Sequence, residues 1–472
     1  MRDGGSVPFS TLSWTREATG SAAVAAVRPA QAIMAAPSLL FVATLTVMLF
    51  RPPDLQFYSL DRIAFVLLVM VAVLRGLILR QPLWIVKGVT LPMLGLLSLA
   101  CFSIITQPFD AQSYSLVAAE LVVPFSLFYA AMLIFSKPAS LRWLETFALI
   151  ALAYLSFIAI AFLIGAKALI FPAFILDEGL GIHADRARGP FLQAVANGLT
   201  LNMLGLLALD SFRRGRLRGI WALALLAALP VAILATKTRA VWLSFSLSLM
   251  VLCFRTSSRR LRRACLGIAA MSTAALVVAL STADLRTSLE DRARERGPVE
   301  IRLAVYQAGW QMFLERPFSG WGMNQMPAEL ASRMSEYRLK AFPVHNTYLE
   351  ILVEHGIIGL ALYSWLVVGL FRVGGRQVAS QRRFAPSVSP RDQITQDDPA
   401  EHEVVSREFA ERDFPDKEFR KMWPILLGVY LLNGTFVVMN YQFVNGLLFT
   451  LAGVLAAQNR CDVAAQEYLL AS

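Results

Sequence analysis

Charged residues are scarce in this chain of 472 residues, at 16% of the sequence. Soluble domains carry about a quarter. Hydrophobic residues make up 56% of the chain, and the mean hydropathy is +0.56. This composition excludes an ordinary soluble domain, and it indicates a membrane protein that crosses the bilayer several times.

Cysteine and histidine are also rare, with four of each. The cysteines lie in or beside apolar runs and form no CxxC pair. They are Cys101, Cys253, Cys265 and Cys461. The histidines show no HExxH spacing. The sequence therefore predicts packing cysteines, and it argues against a metal site or a bound cofactor.

The 44 Lys and Arg residues exceed the 33 Asp and Glu residues, giving a net charge of +11. The basic residues stand in short clusters between apolar runs, which is the pattern that orients a membrane protein. We therefore expect no nucleic-acid partner. Residues 1–31 are polar and Ala-rich, and the apolar run after them is long enough to span, so we expect an uncleaved cytoplasmic tail rather than a signal peptide.

Roughly twelve stretches approach the length of about twenty residues that a spanning helix needs. The predicted fold is all-α, a polytopic transmembrane bundle with a large, partly helical periplasmic loop between spans 9 and 10. The predicted spans are 32–50, 61–79, 88–106, 115–135, 144–165, 192–210, 219–236, 239–254, 264–283, 351–371, 422–440 and 443–457.

The most basic short loops all fall on one face if the N-terminus is inside. An even number of spans then returns the C-terminus to the same side. We expect a multi-pass protein of a bacterial inner membrane with both termini cytoplasmic. The predicted regions are a tail (1–31), spans 1–9 (32–283), a periplasmic loop (284–350), span 10 (351–372), a cytoplasmic insertion (373–421), spans 11 and 12 (422–457) and a cytoplasmic tail (458–472).

The two long hydrophilic stretches differ in kind. Residues 284–350 contain many aromatic residues among their charges, which is enough apolar surface for an ordered loop, and such loops commonly carry function. Residues 373–421 mix both signs of charge with few large apolar residues. This second stretch is either a solvated linker or a binding site for a partner.

Several cations fall on the predicted outer face, where the orientation rule does not place them. Guanidinium groups bind phosphate through paired charged hydrogen bonds, so these residues suggest recognition of a phosphorylated lipid. Arg239 stands in a very tight turn and is expected to face a cavity. The alternatives are an interfacial or solvated charge, or for Arg302 an ion pair within its own loop. The cations are Arg186, Arg188, Lys237, Arg239 and Arg302.

His345 opens the string HNTYLEILVEHGIIGLALY, directly before a predicted helix. An imidazole can take a proton from an attacking sugar hydroxyl, or it can hold a diphosphate oxygen. A lone histidine at the start of a helix is also commonly structural, so the residues alone leave both roles open.

The string HNTYLEILVEHGIIGL resembles the hallmark segment of the O-antigen ligase and O-antigen polymerase family. Three weaker motifs follow the family's order along residues 185–360. RARGPFLQAVANGL resembles its Arg-Gly motif, TKTRAVWL its Ser-Arg turn with Thr238 in place of the serine, and the third is its Arg-Pro and Gly-x-Gly pattern. The residues of this third motif are Arg302, Trp310, Arg316, Pro317, Gly320, Gly322 and Asn324.

The resemblance implies a metal-independent glycosyltransferase that passes a glycan from undecaprenyl diphosphate to an acceptor hydroxyl at the periplasmic face. It implies catalytic roles for His345, Arg239 and Arg188. The acceptor, a second lipid-linked glycan or lipid A-core, decides between polymerase and ligase, and both stay open. The resemblance also implies a regulator of glycan chain length as a further partner, for which residues 373–421 are a candidate binding site if they are not a solvated linker. The residues implied to bind substrate are Arg186, Arg302, Asn346, Tyr348, Lys237 and Glu354.

A secondary transporter or a polysaccharide-export component is the alternative function, because a bundle of many spans suits it too. Charges within the predicted spans are sparse, however, and the two halves show no visible correspondence. Glu120 is the main exception within a span, and an ionisable residue there commonly lines a cavity or a substrate path.

Overall fold

The computed structural model describes residues 36–51, 60–80, 85–181, 183–281, 297–334, 344–375 and 415–471. Within these ranges the chain forms helices joined by turns, without a strand, which confirms the all-α prediction. A chain in lipid must satisfy its own backbone hydrogen bonds, and a helix does so within one segment. The helices are α1 (Ala36–Leu49), α2 (Leu60–Ile78), α3 (Lys87–Thr106), α4 (Ala111–Val117), α5 (Val123–Ile134), α6 (Pro138–Leu163), α7 (Ala194–Arg213), α8 (Gly219–Ala235), α9 (Arg239–Arg255), α10 (Arg259–Ser281), α11 (Gly297–Glu315), α12 (Met326–Arg333), α13 (Thr347–Gly375), α14 (Lys417–Gly434) and α15 (Gln442–Ala471).

Each predicted span falls on a helix, with α4 and α5 together forming one of them. Six helices of the described part have the length and apolarity to cross a bilayer: α3, α4 with α5, α6, α7, α10 and α13. The count of twelve spans and the orientation stay predictions. Most of the bounds differ from the predicted ones by only a few residues. The tail of residues 1–31 and residues 376–414 of the insertion lie outside the described ranges.

Several bounds differ more clearly from the prediction, among them the starts of α6 at Pro138, α10 at Arg259 and α14 at Lys417. The helix α13 begins at Thr347, because Asn346 caps it, and α14 ends at Gly434, before an irregular segment. The helix α15 continues to Ala471, so most of the predicted C-terminal tail is helical. A hydropathy profile locates apolar runs, but it cannot show that a helix continues into a polar segment.

Close backbone contacts hold the bundle together. A Cβ atom at Gly369 of α13 would lie 1.9 Å from the carbonyl oxygen of Gly88 in α3, and one at Gly453 of α15 would lie 2.3 Å from that of Phe128 in α5. Lipid chains are as apolar as leucine, so helices in a bilayer associate through such close packing rather than through hydrophobic burial. Glycine at these positions therefore allows the two pairs of helices to touch.

Ion pairs fix the end of α7 where Arg213 and Arg214 lie. The buried Arg214 guanidinium contacts Glu145 of α6 at 2.5 Å and Asp210 of α7 at 2.7 Å. Arg213 contacts Asp210 and Asp416, each at 2.6 Å, and so joins α7 to the start of α14. Buried charges are stable only when they are paired in this way. The opposite end of α7 is left to carry the loops of the candidate site.

The stretch predicted as a large loop contains α11 and α12, which pack against each other around an apolar cluster of their own. The cluster also includes Val353, at the start of α13. Its other fully buried members are Val305, Ala308, Met312, Met326, Leu330, Met334 and Val344. The loop is thus a small ordered unit attached to one end of α13, while its position outside the membrane stays a prediction.

Candidate active site

The helix α13 is broken at Gly356, where φ is 64° and ψ is −165°. Only glycine adopts this conformation readily. A Cβ there would lie 2.1 Å from the carbonyl oxygen of Phe318, because the loop 316–325 docks into the break. Three backbone hydrogen bonds join the loop to α13, from Trp321 to Val353 (2.9 Å), from Gly322 to Glu354 (2.9 Å) and from Ile357 to Pro317 (2.8 Å).

Asn324 connects this loop to two other segments. Its backbone N–H donates to the carboxylate of Glu354 at 3.0 Å, and its side-chain amide donates to Asp110 at 3.0 Å. Hydrogen bonds from Ser113 and Asn324 lower the pKa of Asp110 to about 2. The Glu354 side chain, predicted to bind substrate, therefore holds the loop in place in this arrangement.

The indole of Trp321 lies between two guanidinium groups. Arg316 stacks at 4.1 Å from the ring centroid and Arg333 at 4.8 Å, while the indole N–H donates to the carbonyl of Met312 at 2.8 Å. Stacked cations and aromatic rings attract one another. The Arg-Pro and Gly-x-Gly motif thus builds a rigid support beside α13.

His345 lies immediately before α13, half-buried and with a positive φ of 52°. Tyr306 of α11 donates its hydroxyl to the His345 carbonyl at 3.4 Å. Burial lowers the pKa of His345, and the positive charge of Arg302 and the neighbouring His183 lower it further. The ring is therefore neutral at pH 7 and can accept a proton.

The residues after His345 anchor the start of α13. The side-chain oxygen of Asn346 accepts hydrogen bonds from the N–H groups of Tyr348 and of the residue that follows it, at 3.0 and 3.1 Å, as a helix cap does. Thr347 donates to the carbonyl of Val437 at 2.9 Å, and the Tyr348 hydroxyl donates to that of Leu431 at 2.8 Å. These contacts fix the segment that carries His345.

Arg188 is almost fully buried, with 1% of its surface exposed. Its guanidinium donates to three backbone carbonyls, those of Ile175 (3.1 Å), Asp177 and Leu180. Burial lowers the pKa of Arg188, while Asp177 and Glu178 oppose that effect, and an arginine stays charged throughout the physiological range. In this arrangement the side chain holds the loop 175–181 in shape.

The Arg-Gly motif and the Ser-Arg turn lie next to each other. The N–H of Ala187 donates to the carbonyl of Ala235 at 3.1 Å, and Asn197 of α7 donates to the carbonyl of Ala187 at 2.8 Å. Gly189 has a φ of 58°, and a Cβ there would lie 2.7 Å from the side-chain oxygen of Asn197. Close approach thus explains both the glycine and the asparagine of this motif.

Three more of the predicted cations lie around this junction. Arg239 is exposed at the first residue of α9, and Lys237 precedes it with a φ of 47°. The Arg186 guanidinium lies 3.9 Å from the Asp185 carboxylate, and the backbone N–H of Arg186 donates to the carbonyl of His183 at 3.1 Å. His183 therefore connects the arginine motifs to His345, which it influences electrostatically.

His183 and Glu350 are not among the site residues predicted from the sequence. His183 precedes Arg186 by only three residues, so its place in the same short loop was a usable signal. Glu350 is an acidic residue within an apolar helix, which by itself suggests function. It lines a buried cavity together with Glu120, the exception noted in the sequence, and with Glu354.

The apolar helices and the loops at one end of the bundle define a multi-pass helical membrane protein with an ordered polar site. Residues 221–364 match the model of the O-antigen ligase family. This match confirms the predicted resemblance to that family over these residues. The matched segment includes Arg239, Arg302, His345 and Glu354, and it ends within α13. No curated protein matches the chain.

Proposed function

We propose that the protein is a glycosyltransferase of a bacterial inner membrane that moves a glycan from undecaprenyl diphosphate to an acceptor hydroxyl at the periplasmic face. The observation that carries this proposal is the position of His345. It is half-buried at the start of α13, near Arg302 and His183, within the matched segment. A neutral imidazole beside a fixed cation suits a reaction that deprotonates a hydroxyl and releases a diphosphate.

In the proposed reaction His345 takes the proton of the acceptor hydroxyl. The hydroxyl oxygen forms a bond to the anomeric carbon of the glycan, and the bond from that carbon to the diphosphate oxygen breaks. The electron pair of the broken bond stays on the diphosphate. Asn346 and Tyr348 act as positioning residues, because they fix the segment that carries the imidazole.

Arg239, Lys237 and Arg302 are the proposed diphosphate ligands. Arg239 is exposed at the N-terminus of α9, where free backbone N–H groups and the helix dipole also favour an anion. Arg188 has its guanidinium engaged by three carbonyls, so its proposed role is to position the neighbouring loop and Arg186. Fixed cations neutralise the charge of the leaving group, which is the basis for proposing a metal-independent reaction.

The identity of the acceptor is tested with purified protein in lipid. The protein is supplied with undecaprenyl-diphosphate-linked repeat units, either with or without lipid A-core. A ladder of longer lipid-linked chains in the absence of lipid A-core identifies a polymerase. A product that forms only when lipid A-core is present identifies a ligase. Intact donor under both conditions would contradict a transferase and favour a transport function. Activity that persists in the presence of a chelator supports the metal-independent proposal.

A further inference from the structure

A cavity of about 80 Å³ lies inside the bundle, between α3, the turn that joins α4 to α5, and the helices α13, α14 and α15. It extends to Thr347, two residues after His345, so it begins directly beneath the candidate site. Apolar side chains form most of its wall. Its ionisable lining consists of Glu120, Glu350, Glu354, His355, Tyr363 and Tyr430.

Irregular helical turns supply two of the three acidic residues. Glu120 stands in the π-helical turn Ala118–Val122, and Glu354 precedes the break at Gly356 by two residues. A π turn costs regular hydrogen bonds and is found preferentially at functional sites. Both irregular turns face the same cavity. Glu120 and Glu354 therefore line this cavity instead of the outer surface of a regular helix.

His355 provides an independent indication that the cavity holds something. Only 7% of its surface is exposed, its side chain lines the cavity, and it makes no side-chain hydrogen bond to another residue of the described ranges. A buried polar group without a partner is costly, so such groups are normally satisfied by a ligand or by water. The cavity has room for several water molecules.

No Lys or Arg lines the cavity in the part of the chain that the structure describes. Three carboxyl groups around one cavity repel one another when all are ionised, and without a cation in the lining they are expected to share protons. They do not form a metal site, since no three acidic, His or Cys side chains of the described ranges are arranged to hold a metal ion. The chemistry that this lining suits is the binding of a proton.

We infer that this cavity is the proton-accepting site of the transfer reaction, with Glu350 as its first acceptor. The inference rests on the proposed function. Glu350 lies in the first turn of α13, and helical side chains lean towards the N-terminus, here towards His345. The hydroxyl proton passes to the imidazole of His345, and Glu350 takes it up while passing its own proton to the carboxyl group of the cavity that is ionised. One proton leaves to water when the products depart, which restores the ionised carboxylate.

The other groups near Glu350 do not replace it. Tyr441 and Tyr348 are not part of the lining, and their hydroxyls are engaged, with Gln193 at 2.7 Å and with the carbonyl of Leu431 at 2.8 Å. The Tyr430 hydroxyl donates to Asn445 at 2.8 Å. Phenols lose a proton only at high pH, so they are not acceptors at pH 7. The carboxyl groups and His355 are the groups that can hold the transferred proton.

Infrared spectroscopy of the whole protein in lipid at pH 7 tests whether the cavity holds a proton. The C=O stretch of a protonated carboxyl is resolved from that of a carboxylate. We expect such a band in the wild type and its reduction in Glu350→Gln, Glu354→Gln or Glu120→Gln. The control Glu300→Gln removes an exposed carboxyl of α11 and should keep the band. If the wild type shows no such band, none of the three cavity carboxyls is protonated, and the inference is overturned.

A second measurement connects the cavity to the reaction. Glu350→Gln should lower kcat by about 100-fold, the usual size of a proton-transfer contribution, without changing KM for the donor, and Glu350→Asp should restore part of it. A full rate in Glu350→Gln would overturn the role of the cavity in transfer. If the wild type shows the band but transfers no glycan, the proposed function fails while the protonated cavity stands.

Discussion

The backbone N–H of Asn324 lies 3.0 Å from the carboxylate of Glu354, and this hydrogen bond joins the loop 316–325 to the broken turn of α13. Asn324 has a positive φ of 62°, a conformation that asparagine tolerates better than most residues. Its side chain reaches Asp110 as well. Asn324 therefore connects the segment before α4 to α13, the helix that follows His345, and it stabilises their arrangement.

Substitutions at Asn324 should separate its two contacts. Asn324→Gly keeps the backbone hydrogen bond and the positive φ, so it should lower the free energy of unfolding by only about 1 kcal/mol. Asn324→Asp places a second carboxylate against Asp110 and should cost more. Thermal unfolding of both variants in the same lipid measures the difference. No loss in Asn324→Gly, together with an equal melting temperature for Asn324→Asp, would show that the Asp110 contact is unimportant.

The break at Gly356 should be intolerant of any side chain. Gly356→Ala introduces both an unfavourable backbone conformation and a contact of 2.1 Å with Phe318, so we expect a loss of about 3 kcal/mol in the free energy of unfolding. Gly267→Ala is the matched control, because no atom lies within 4 Å of its added Cβ. It should be neutral or should stabilise α10 by up to about 1 kcal/mol. Equal melting temperatures for the two variants would contradict the docked loop.

Substitutions at Arg188 and at Arg239 should differ in their effects on melting temperature and on transfer. Arg188→Lys cannot reach three carbonyls at once, so we expect it to lower the melting temperature as well as transfer. Arg239→Gln changes an exposed residue, so the protein should stay in the membrane and melt normally while transfer falls by at least about 100-fold. Melting curves and donor turnover are measured on the same preparations. An active, normally expressed Arg239→Gln would remove Arg239 from the mechanism.

The pH dependence of transfer should report the charge of Arg302. This cation disfavours the protonated imidazole and so contributes to the lowered pKa of His345. Arg302→Gln should therefore raise that pKa, and the loss of activity on acidification should begin at a higher pH than in the wild type. The exposed Arg263 at the start of α10 provides the control, and Arg263→Gln should leave the profile unchanged. An unshifted profile in Arg302→Gln would mean that the two groups are not coupled.

The sequence predicted the helical class well because lipid leaves an apolar chain few alternatives to helices. Runs of hydropathy located the helices, and the motif around His345 located one end of α13. The break at Gly356 could not be predicted in the same way. It depends on a loop more than thirty residues upstream, whose carbonyl at Phe318 occupies the space of the missing side chain.

The candidate site was predictable as a set of residues but not as a set of contacts. Residue type suggested phosphate binding for both Arg188 and Arg239, whereas the structure buries the first among carbonyls and exposes the second. Whether a guanidinium meets a carbonyl or a ligand depends on the path of the loop 175–181. The proximity of His183 to His345 was not predictable for the same reason, since it arises from tertiary packing.

The most direct test of the central claim compares His345→Gln with the wild type in a single turnover of undecaprenyl-diphosphate-linked glycan, in the presence of both candidate acceptors. Glutamine keeps the size and polarity of the side chain but cannot take a proton. We predict that the wild type releases undecaprenyl diphosphate together with a transferred glycan, and that His345→Gln, with an unchanged melting temperature, leaves the donor intact. Release at the wild-type rate by His345→Gln would contradict the account.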